Sequence, residues 1–131
     1  MRLKWLVPLA ASVFATALPM LAHHSFAAEY DESKPIKVTG VVTKVEWLNP
    51  HIWFYVDVKD DKGNVTNWAF SGGAPGQLMR RGVMHDSIQP GMTIQVEGFL
   101  AKDGSHNANG NKVTFADGSS VFTANAEDRK K

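Results

Sequence analysis

From position 45 the chain reads Val-Glu-Trp-Leu-Asn-Pro-His-Ile-Trp-Phe-Tyr-Val-Asp-Val. Beyond Asn49-Pro50 the apolar residues Ile52, Phe54, Val56 and Val58 fall on one phase of a two-residue period, and His51, Trp53, Tyr55 and Asp57 fall on the other. That period marks a strand with one face in a core. A solvated face rarely carries Trp and Tyr beside a His, so the second phase is the first candidate for a binding surface.

The same patterning predicts the rest of the fold. A long first strand spans residues 36–47. Its apolar phase moves from Ile36 and Val38 to Val41, Val45 and Trp47, and the change at Gly40 predicts a bulge there. A second strand covers 51–58, and a hairpin loop over 59–64 gives Gly63 room for positive φ. A third strand covers 65–70, with Thr66, Trp68 and Phe70 on one side.

After the Ser71-Gly72-Gly73 break, Pro75, Arg80, Arg81 and Gly82 sit where a short helix over 75–81 starts and stops. Pro90-Gly91 turns the chain into a fourth strand, 92–100, with Met92, Ile94 and Val96 inward. Residues 101–111 read as a polar loop, followed by a hairpin of 112–116 and 120–123 about Asp117-Gly118. Three strands, one helix, then two or three strands predict an all-β chain with one short helix. The expected architecture is an OB-fold-like small antiparallel barrel; another small barrel or a sandwich is the alternative.

The first 22 residues have a different pattern. Arg2 and Lys4 precede an apolar stretch from Leu6 to Leu18, Pro19 breaks it, and Ala22 supplies a small exit residue. This predicts a secretory signal peptide over 1–22, whose helix precedes the domain, and a periplasmic or secreted protein with no membrane attachment after cleavage. A retained anchor is the alternative. Residues 23–35 then form an N-terminal docking segment, 36–124 the barrel, and 125–131 a charged flexible tail. In the docking segment Phe26 and Tyr30 are four apart, so one helical turn would put both on one side; an extended course over the domain is the alternative.

Composition narrows the chemistry. The 131-residue chain suits one domain and has no cysteine, which excludes disulfides, thiolate metal sites and cysteine nucleophiles. Loss of Arg2 and Lys4 takes the net charge from +1 to −1, and a near-neutral domain lacks the basic surface that nucleic acid requires. No spacing suggests a nucleophilic triad, a phosphate loop or a calcium loop, so no enzyme activity is assigned.

Two constellations remain. In OB-folds the faces of strands two and three, with the loops beside them, hold the ligand. Here those places carry Trp47, Asn49, His51, Trp53, Tyr55 and Trp68, with His106, Asn107 and Asn109 across the site. The functional reading is an aromatic-walled site for a small ligand or a periplasmic partner protein. The structural alternative covers Trp47, Trp53 and Tyr55 with Phe26 and Tyr30. The second constellation is the new N-terminus: cleavage after Ala22 exposes the amine and imidazole of His23, a nitrogen set that suits copper(II). Its ligands would be His23, His24, His51 and His106. Solvated histidines that help dock the segment are the plainer reading.

The chain also resembles a known family. The resemblance rests on His23-His24-Ser25-Phe26, Val45-Glu46-Trp47 leading to Asn49-Pro50-His51, Asn67-Trp68-Ala69-Phe70, Arg80-Arg81-Gly82, Pro90-Gly91 and Ala116-Asp117-Gly118. These are similar to small exported bacterial proteins grouped as domain of unknown function 6152. The resemblance implies an exported β-barrel-like domain and brings no activity, ligand or catalytic residue.

Overall fold

The computed structural model describes residues 25–124. The expected signal peptide and charged tail, with His23 and His24, lie outside the described residues. A five-residue helix, α1 (Ser25–Glu29), leads into β1 (Tyr30–Glu46), β2 (Trp53–Lys59) and β3 (Val65–Ser71). The helix α2 (Pro75–Arg80) precedes β4 (Thr93–Ala101), β5 (Asn107–Phe115) and β6 (Ser120–Phe122). The sheet order is β3-β2-β1-β4-β5-β6, and a parallel pairing of β3 with β5 closes it into a ring. Ring order and the helix between β3 and β4 match the OB-type expectation; α1 adds a second helix where one was expected.

Alternation decides what fills the ring. Ile52, Phe54, Val56 and Phe70 are at most 1% exposed and join Val42, Ile94, Val96, Val113 and Leu78 in one core. The Phe54 and Phe70 rings stack at 5.4 Å. Each fully buried side chain of this size contributes roughly 1.5–3 kcal/mol relative to exposure. Leu78 of α2, with Val83 and Ile88 of the following loop, completes the core from the segment linking β3 to β4.

The predicted bend of β1 exists, two to three residues later than expected. Ile36, Val38, Gly40 and Val42 keep one phase, and the register with β2 slips between Val42 and Lys44. Val41 is correspondingly 43% exposed, and Val45 and Trp47 return to the core side after the extra residue. Gly40 has a different task. A Cβ there would stand 2.2 Å from the Asp57 carbonyl oxygen, so glycine allows β1 to approach β2 where it passes from pairing with β4 to pairing with β2.

The stretch expected as a polar loop to residue 111 holds the first half of β5. Asn-Ala-Asn-Gly-Asn is a small-residue version of strand alternation. Ala108 and Gly110 face the core, where a Cβ on Gly110 would meet Phe54 Cζ at 2.7 Å. Asn107 and Asn109 take the outer phase, beside Ala69 and Ser71 of β3. The large rings of Phe54 and Phe70 fill the space that larger residues would have taken, so no hydrophobic signal marks this strand.

Turns follow their residues. Gly63, Gly91, Gly104 and Gly118 all take positive φ, and Met92 N–H donates to the Gln89 carbonyl to close the Pro90-Gly91 turn. Asp31, Asp103 and Asp117 each accept the backbone N–H and hydroxyl of the serine two residues on. The Asn49-Pro50 peptide is cis.

Candidate functional site

The site is built on the outer side of β2. Antiparallel register places side chains of paired residues on the same face. One row across the sheet is Glu46, Trp53 and Ser71; the next is Lys44, Tyr55 and Ala69; the third is Val41, Asp57 and Asn67. Trp53 and Tyr55 are half-buried on this side, while their neighbours Phe54 and Val56 are fully buried on the other. The sequence-level division of the strand into two faces therefore holds residue by residue.

Two charges frame Tyr55. Its hydroxyl donates to Glu46 Oε2 at 3.1 Å, and Lys44 Nζ lies 5.5 Å from its ring centroid. Lys44 and Glu46 pair directly at 2.5 Å. The lysine, then the tyrosine hydroxyl, hold the Glu46 carboxyl below its ordinary value, and partial burial followed by Glu46 pushes the Tyr55 phenol up. Asn67 donates to Asp57 at 2.8 Å and to Thr43 Oγ1 at 3.2 Å, fixing the far row. Two aromatic rings thus share this face, with polar groups held at their border.

The N-terminal segment reaches only the edge of this face. Phe26 packs against Tyr30 at 5.4 Å and edge-on to Phe99 of β4 at 6.4 Å. Tyr30, 4% exposed, reaches Ser71 Oγ with its hydroxyl at 2.8 Å, so the segment ends beside Trp53 without a ring contact to it. Among the described residues Trp53 and Tyr55 stack on no other ring. The alternative in which Phe26 and Tyr30 cover Trp47, Trp53 and Tyr55 gives way to a latch in which Phe26 meets Phe99 of β4 and Tyr30 meets Ser71 of β3. The cause is local: residues 30–35 already belong to β1, and pairing of Tyr30 with Ala101 carries them along β4.

The remaining predicted site residues separate. Trp68 is in register with Val56 and stacks on Phe70 at 6.3 Å, so it shares the inner phase and not that of Trp53 and Tyr55. Trp47 packs against the core and under His85, ring to ring at 4.4 Å, with its indole N–H buried and unpartnered. Asn49 is exposed in the turn before β2. His51 precedes β2, its Nδ1 3.0 Å from the Gly72 carbonyl oxygen. His106 lies against Trp68 at 5.2 Å. Among the described residues no three His, Asp or Glu side chains gather as a metal site.

Sequence reasoning missed Ser71, which is buried and joins the latch to the β2 face, and the Lys44–Glu46 pair. The pair follows only once the register slip of β1 is known, because the extra residue sets Lys44 and Glu46 on the outer phase, and Ser71 follows only from the closure of the ring. The chain matches the model of the family described as a family of unknown function, DUF6152, over residues 10–112, and it belongs to that family. No curated protein matches it.

Proposed function

We propose that this protein is an exported, non-catalytic binding or accessory domain whose outer β2 face, Trp53 and Tyr55 above all, receives a small ligand or a partner protein. One observation carries the reading. The aromatic residues of this face remain half-exposed although the fold has aromatic residues of its own beside it: Phe26 packs on Phe99 of β4, and Tyr30 reaches only Ser71, at the edge of the Trp53 row. Exposed Trp and Tyr on a rigid strand give large contact area at low cost in side-chain entropy. The polar border of Lys44, Glu46, Asp57 and Asn67 offers donors and acceptors for orientation. Export rests on the basic, apolar and small-residue succession of residues 1–22, and a near-neutral surface disfavours nucleic acid as the partner.

Site-specific photo-crosslinking tests this reading in the producing cell. A benzophenone side chain at position 55 is expected to give discrete adducts, and the same group at position 65, an exposed site at the hairpin, is expected to give none. Equal labelling from both positions, or none from position 55, contradicts it.

A further inference from the structure

A second cleft lies away from the β2 face. The outer sides of β1, β4, β5 and β6 border an open groove of about 490 Å³, a volume within the range of small-molecule sites. Its apolar walls are Pro35, Phe99 and Phe122. Its polar floor is a cross-strand row in which Glu97 stands between two lysines. Lys37 Nζ is 3.8 Å from one carboxylate oxygen and Lys112 Nζ is 3.7 Å from the other. Both distances exceed hydrogen-bond length, so each ammonium keeps its donors, and two positive charges face one negative charge.

Asn111 also lines the cleft. An apolar cleft of this size with surplus positive charge at its floor has a defined complement. We propose that it binds a small amphiphilic anion, a monomeric aryl or alkyl molecule with one carboxylate or sulfonate. The apolar body would lie along Pro35 and Phe99, and the anionic head would take the donors of Lys37 and Lys112. Glu97 keeps the two ammoniums in place and would disfavour a doubly charged head, which such a floor could not neutralise.

The test uses two dyes that differ by the anion, 8-anilinonaphthalene-1-sulfonate and the neutral N-phenyl-1-naphthylamine, titrated into the exported protein. The sulfonate is expected to bind at one saturable site, about tenfold more tightly than the neutral dye. Amide shifts should centre on Lys37, Phe99 and Lys112. The paired substitution Lys37→Gln with Lys112→Gln should abolish that preference and leave the neutral dye unchanged, while Lys37→Arg with Lys112→Arg should retain it. Equal affinity for the two dyes, amide shifts scattered over the surface, or sulfonate binding indifferent to the glutamine pair would overturn the proposal. Because none of these residues belongs to the β2 face, the outcome is independent of Trp53 and Tyr55.

Discussion

The hydroxyl of Tyr30, the first residue of β1, lies 2.8 Å from the hydroxyl of Ser71, the last residue of β3, across 41 positions of sequence. Both side chains are buried, and the bond fixes the N-terminal segment to the strand pair that carries the β2 face. Tyr30→Phe removes one partner and leaves the Ser71 hydroxyl buried and unpaired. The expected cost is about 1–3 kcal/mol, measured by denaturant unfolding.

The same residue sets an alkaline limit. Burial pushes the Tyr30 phenol above its ordinary value, so the folded state holds this proton more tightly than the unfolded chain does. Stability from this group is complete below the unfolded pKa of about 10 and is lost as pH rises through the folded value. Unfolding measured against pH should steepen above about 10, and Tyr30→Phe should flatten that limb.

Phe54 and Tyr55 are neighbours with opposite tasks. Phe54→Ala empties the stack with Phe70 and is expected to cost about 3–5 kcal/mol. Tyr55→Ala removes a half-exposed ring whose partners Lys44 and Glu46 can still pair, and its cost should stay near 1 kcal/mol or below. Similar losses from the two variants in thermal unfolding would contradict the assignment of faces.

Two glycines allow strands to meet. A Cβ on Gly98 would lie 1.6 Å from the Asn109 carbonyl oxygen, and one on Gly40 would lie 2.2 Å from that of Asp57. Both obstacles are backbone atoms, which cannot rotate away as a side chain can. Gly98→Ala and Gly40→Ala should each destabilise by about 3 kcal/mol or more. Gly76→Ala, whose Cβ meets nothing nearer than the Arg80 side chain at 3.7 Å, is the control and should leave the unfolding midpoint nearly unchanged.

These contacts show what could be read from the chain beforehand and what could not. Period-two patterning found β2, β3 and β4 because their inner residues are large: Phe54, Phe70, Ile94 and Val96. It failed at the start of β5, where the inner residues are Ala108 and Gly110 and the core is filled from across the ring. It misplaced the β1 bulge because Gly40 marks a close approach of strands, while the slip at Thr43 carries no composition signal. In the candidate site, Trp53 and Tyr55 were legible by phase alone. Ser71 and the course of Tyr30 were not, because they depend on which strands meet when the ring closes.

Acid should act on the turns. Serine hydroxyls and N–H groups hold the carboxyls of Asp31, Asp103 and Asp117 below their ordinary values, and Asn64 with neighbouring backbone amides does the same for Asp60. A depressed folded pKa gives stability present above the unfolded value of about 3.9 and lost as pH falls through the folded one. Carbon-13 titration of the aspartates should place these four below the free-peptide range, and Asp117→Asn should weaken the acid dependence of unfolding. Ordinary titration of all four would remove the turns from the acid response.

The availability of Trp53 to a binding partner is measured most directly by acrylamide quenching. In a variant carrying Trp5→Phe, Trp47→Phe and Trp68→Phe, Trp53 alone reports. The purified protein should be quenched readily, and an envelope extract from the producing cell should protect the indole in proportion to its concentration. Tyr55→Ala should weaken that protection. An indole already shielded in the purified protein, or quenched equally with and without extract, would contradict the assignment of this face to binding.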